Sequence, residues 1–84
     1  MSPQNKIKLN KLRKKLDKID SQLLKTIKIR FQIVKKVLNL KTSKSEIIDK
    51  PRIKKILNKI KKDSFKKGID PKITNRIWKN MIWS

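Results

Sequence analysis

The chain is expected to be all-α, with one long helix followed by two short ones, and three observations lead there. Between Pro3 and Thr42 neither Gly nor Pro interrupts the sequence, while apolar residues recur in alternating steps of three and four. Asp49 with Pro51, and Asp70 with Pro71, each pair a capping carboxylate with a proline suited to a first helical turn. No segment shows the two-residue alternation of a half-buried strand.

The first helix is predicted over roughly residues 6–41, with Leu9, Leu12, Leu16, Ile19, Leu23, Ile27, Val34 and Val37 on one seam. At 1.5 Å per residue it is on the order of 50 Å long. The 43 residues that follow cannot cover such a length. A second copy of the helix is the natural cover, so the expected assembly is a homodimer of single domains spanning 1–84. After the stretch TSKSEIIDKP at 42–51, the second helix starts at the Asp49 cap. Its stripe is Ile53, Ile56, Leu57 and Ile60, and it stops at Gly68, with Ile69 as the accompanying apolar contact. The third starts at Asp70-Pro71 and carries Ile73, Ile77, Trp78, Met81 and Ile82 to the chain end.

Composition excludes several chemistries. There is no Cys and no His, so thiol redox chemistry, zinc-finger sites and an imidazole general base are ruled out. The net charge of +20 suggests nucleic acid at first sight. However, 22 of the 26 cations are Lys, Ile numbers 14 and Ala is absent, the usage expected of an A/T-rich genome. Most of the charge is then a solvated surface. No apolar run spans a bilayer, and MSPQNKIKLNKL lacks the apolar stretch of a signal peptide, so the expected compartment is the cytoplasm.

Two cations break the seam. Continuing its steps from Ile27 places Arg30, then Val34 and Val37, then Lys41. Arg30 and Lys41 are 11 residues apart, about three turns, so they project from nearly the same side. A shielded cation is costly unless an anion meets it. That anion is either a carboxylate of the protein, with Lys41 snorkelling at the helix end, or a ligand. Arginine scarcity favours the ligand: Arg13, Arg30, Arg52 and Arg76 are the only four, and a guanidinium fork grips carboxylates and phosphates in a way that Lys does not. Arg13 lies 17 residues before Arg30, roughly 25 Å along one helix, so a shared small ligand needs Arg13 from an antiparallel neighbour. Arg52, in the first turn of the second helix, adds to the positive end of its dipole. The implied ligand is a small polyanion held by Arg30, Lys41, Arg52 and a neighbour's Arg13.

The run LNKLRKKLDKIDSQLLKTIKIRFQIVKKVLNLK, with IIDKPR and then GIDPKITNRIW, resembles the all-helical chorismate mutases over about residues 9–84. The resemblance implies an intertwined homodimer with active sites shared between chains. It implies that Arg13 from the partner chain and Arg30 bind the carboxylates of chorismate, and that Lys41 donates to the ether oxygen. Asp49 is then placed near the substrate hydroxyl and Arg52 in the cationic wall. The reaction implied is a pericyclic rearrangement to prephenate, in aromatic amino-acid biosynthesis, needing no cofactor, metal or general base.

Ile53 stands where the typical mutase has a Glu after that arginine, and the family's third helix carries a Gln beyond the position of Ser84. Isochorismate-pyruvate lyase, of the same fold, has an apolar residue after the arginine and a K-x-S loop like Lys41-Thr42-Ser43. It is the alternative chemistry, and Ile53 is equally the first apolar member of its helix stripe. A regulatory relative with little activity is a third possibility. The alternative from another class is a basic helical nucleic-acid-binding module using Trp78 or Trp83 for stacking. The tryptophans lie on or beside an apolar stripe, and a ten-turn first helix does not suit a three-helix DNA reader, so nucleic acid is the less favoured partner.

Overall fold

The computed structural model describes residues 1–41 and 49–82, which form three helices. They are α1 (Pro3–Leu40), α2 (Lys50–Lys66) and α3 (Pro71–Ile82). The chain divides into two compact units, Met1–Lys41 and Thr42–Ser84. The TSKSEI part of the connecting stretch, with Ile48, and Trp83 and Ser84 lie outside the described residues.

α1 begins three residues earlier than the apolar seam suggests. Ser2 is its cap: the Ser2 Oγ accepts a hydrogen bond from the Asn5 N–H at 3.2 Å, and Pro3 takes the first helical turn, where no N–H is needed. At the other end the helix stops at Leu40. Lys41 is extended, with φ −89° and ψ 137°, and its N–H donates to the Leu38 carbonyl at 3.1 Å. Among the next residues in sequence Thr42, Ser43 and Ser45 are weak helix formers, which agrees with this end point. Lys41 is therefore the C-cap of α1, not a member of its last turn as the sequence suggests.

The seam of α1 is largely bare in one chain. Leu12, Leu16, Ile19 and Leu23 are each more than half exposed. In the second half of the helix apolar residues also stand outside the seam, with Leu24, Ile29, Ile33 and Leu40 all more than half exposed. Lys25, Lys28, Gln32, Lys35 and Asn39 keep a polar strip along this half of the helix.

The second unit is a helical hairpin, and its turn is built by hydrogen bonds. The Asp49 Oδ1 accepts from the Arg52 N–H at 3.0 Å, capping α2. At the C-terminus Gly68 takes φ +69°, where a side chain would be strained. This lets the Ile69 N–H reach the Ser64 carbonyl at 2.9 Å and the Gly68 N–H reach that of Phe65 at 3.2 Å, the paired bonds of a Schellman end. Asp70 then accepts from the Lys72 N–H at 2.9 Å and starts α3.

Where α2 meets α3, the most deeply buried residues are polar. Ser64 is 4% and Thr74 8% exposed, and no apolar side chain among the described residues is buried to that degree. Their hydroxyls lie 2.7 Å apart, and the Ser64 hydroxyl donates to the Ile60 carbonyl at 2.6 Å. With one proton on each hydroxyl, Thr74 donating to Ser64 and Ser64 to Ile60 uses the two shortest contacts. Around this pair Ile53, Ile56, Leu57 and Ile60 of α2 and Pro71, Trp78, Met81 and Ile82 of α3 are half-buried. Ile73 and Ile77 are not part of that face; they are 57% and 45% exposed, because Thr74 takes the inward position. Ser64→Ala removes two hydrogen bonds and leaves Thr74 only a 3.3 Å contact to the Pro71 carbonyl. It is expected to lower stability by about 1–2 kcal/mol in urea titrations, with unchanged helix content before the transition.

Among the described residues no helix is long and apolar enough to cross a membrane.

Candidate active site

α1 carries two of the predicted site residues within its length. Arg13 is exposed, and Arg30 is half-buried. At 100° per residue they are about a quarter-turn apart around the helix and roughly 25 Å apart along it, so one copy of α1 cannot bring both to one small molecule. Arg30 sits inside the apolar seam. It is half-buried like its seam neighbours Ile27 and Val34, while Leu23 and Val37 beyond them are exposed.

One nitrogen of that guanidinium is buried outright. The Nη1 of Arg30 is shut off from solvent and has no hydrogen-bond partner among the described residues. Shielding one donor of a half-buried guanidinium without an acceptor costs on the order of 1 kcal/mol of lost hydration. No carboxylate among the described residues pairs with that nitrogen. A guanidinium in this state is a candidate for an anionic ligand, and a carboxylate matches its planar fork. Lys41, at the C-cap of the same helix, is half-buried as well. Eleven residues place it about 16 Å from Arg30 along the axis, with its extended backbone carrying it off the helical path.

The remaining predicted residues share the start of α2. Asp49 is the cap, half-buried, and Arg52 and Ile53 stand in the first turn. The Asp49 carboxylate is committed to the Arg52 backbone N–H, so this aspartate orders the turn that displays the Arg52 side chain. The exposed guanidinium of Arg52 adds to the positive end of the helix. Ile53 is half-buried and opens the apolar stripe of α2, which gives it a packing role. Asp49→Asn keeps a capping oxygen but removes the charge. It is expected to leave the urea midpoint of the protein nearly unchanged, so any fall in turnover of the variant reads the carboxylate's effect on a ligand alone.

The structure thus places Arg13, Arg30 and Lys41 in one unit and Asp49, Arg52 and Ile53 in the other. Thr42 and Ser43 of the K-x-S stretch lie outside the described residues. Two structural features escaped the sequence: the Ser2 cap, signalled by Ser-Pro, and the Ser64–Thr74 pair, whose signal was a hydroxyl one turn beyond Ile60 on the apolar stripe.

An arginine in an apolar seam, with a buried nitrogen that has no partner among the described residues and no imidazole or thiol in the chain, is a candidate anion-binding group. Residues 12–84 match the family model of chorismate mutase type II. The chain belongs to this family. The match starts one residue before Arg13 and takes in every candidate site residue. Searches of curated proteins and of solved structures return no match. Membership makes the chain an isomerase acting on chorismate, and it accounts for the all-α architecture without strands among the described residues.

Proposed function

We propose that the chain rearranges chorismate to prephenate in the cytoplasm, as a step of aromatic amino-acid biosynthesis. The working form is an intertwined homodimer, in which residues 1–84 of each chain act as one domain. Each site takes Arg30, Lys41, Asp49, Arg52 and Ile53 from one chain and Arg13 from the other. The buried Nη1 of Arg30 carries this reading, because it is a cationic donor with no acceptor among the described residues. The bare seam of α1 supports the dimer, since Leu12, Leu16, Ile19 and Leu23 repeat at the spacing of a two-helix interface.

The chemistry asked of these residues is modest. Chorismate carries two carboxylates, and its rearrangement breaks one carbon–oxygen bond and forms one carbon–carbon bond in a single concerted step. Nothing is added or removed. Arg30 and the partner's Arg13 each hold a carboxylate and so keep the reactive, compact conformer. Lys41 donates to the ether oxygen, where negative charge builds as the bond lengthens. Arg52 deepens the positive field, and Asp49 receives the hydroxyl of the ring.

Incubation of the folded protein with chorismate and, separately, with isochorismate tests this directly. Prephenate is expected from chorismate, and no salicylate or pyruvate from isochorismate. Formation of salicylate and pyruvate assigns the chain to lyase chemistry instead, and absence of turnover on both substrates contradicts an enzymatic role.

A further inference from the structure

Phe65 has no part in the packing of α2. It is 66% exposed, and it stands nine residues beyond Ile56, two and a half turns, hence on the opposite side of the helix. Behind it on that outer face come Lys62 and Lys61, then Asn58, then Lys54, all exposed. The strip from Lys54 to Phe65 is about 16 Å long. Lys55 and Lys66 flank it.

Genomic lysine bias raises charge everywhere, yet it is not evenly spread. Residues 50–67 hold nine cations against Asp63 alone, a net charge of +8 over 18 residues. Residues 3–40 reach only +10 over 38, with twelve cations against Asp17 and Asp20. The second helix therefore concentrates charge beyond the general excess, around the one exposed aromatic of its outer face.

We propose that this outer face of α2 binds single-stranded nucleic acid, with Lys54, Lys61 and Lys62 on phosphates and Phe65 stacked on a base. Cations that follow a backbone beside an aromatic ring free to stack are the two components of strand binding without sequence preference. A duplex offers no unpaired base to the ring. An anionic membrane surface calls for a broad apolar face, and this strip has one apolar side chain. None of these residues belongs to the proposed active site, so the surface is independent of the mutase reading.

The test uses the full chain and a fluorescently labelled single-stranded oligonucleotide of about 12 nucleotides, with anisotropy followed across a salt series. Lys54→Gln/Lys61→Gln/Lys62→Gln is expected to flatten the slope of log K against log salt by about 2. Phe65→Ala is expected to weaken binding roughly tenfold. The control Lys11→Gln/Lys15→Gln/Lys18→Gln removes the same charge from the back of α1 and is expected to change the slope by less than half as much. Chorismate turnover should be unaffected throughout. Equal effects of the two triple variants overturn the proposal in favour of whole-chain charge. An inert Phe65→Ala, or tighter binding to duplex or to phosphatidylserine vesicles, overturns it as well.

Discussion

Arg30→Ala is expected to lower kcat/KM for chorismate by about 10²–10³ while leaving the protein folded, with a stability change of no more than about 1 kcal/mol. The two halves of this result come from one observation. The Nη1 of Arg30 is buried without an acceptor among the described residues, so none of these offsets its desolvation as a bound carboxylate would. Removing the side chain relieves that cost and leaves Ile27 and Val34 with a smaller apolar neighbour. Arg30→Lys keeps the charge but loses the fork, so it should recover only part of the lost rate. If Arg30→Ala instead unfolds the protein while activity per folded molecule persists, Arg30 is a structural residue and the substrate carboxylate lies elsewhere.

Sequence reasoning succeeded where one residue type has one physical meaning. Asp49 and Asp70 before their prolines are caps, and Gly68 has the left-handed backbone that ends α2. Arg30 was legible as a misfit because the three-four spacing around it is otherwise apolar. The same reasoning failed where two residue types compete for one position. Ile73 and Ile77 read as the buried stripe of α3, yet Thr74 faces inward because its hydroxyl finds Ser64, which an apolar pattern cannot register. Lys41 continues the numerical spacing of α1, but spacing does not reveal that the helix has already ended. The apolar seam of α1 is legible in sequence by its three-four spacing, and Leu12, Leu16, Ile19 and Leu23 are exposed in the structure.

The same geometry makes a demanding prediction about two inactive proteins. Arg13→Ala and Arg30→Ala each remove a cation from every site of a homodimer, so each alone should be nearly inactive. In a mixed dimer, one site combines the intact Arg30 of the first chain with the intact Arg13 of the second, and the other site lacks both. Random pairing of equal amounts makes half of the dimers mixed, with one working site in two, so about a quarter of wild-type activity should return. The roughly 25 Å between Arg13 and Arg30 on one helix prevents a single chain from bringing both to one ligand. Measuring turnover after the two variants are unfolded together and refolded, with mixed dimers confirmed by mass, tests the shared site most directly. Recovery near one quarter is the result expected; no recovery in a preparation that contains mixed dimers contradicts it.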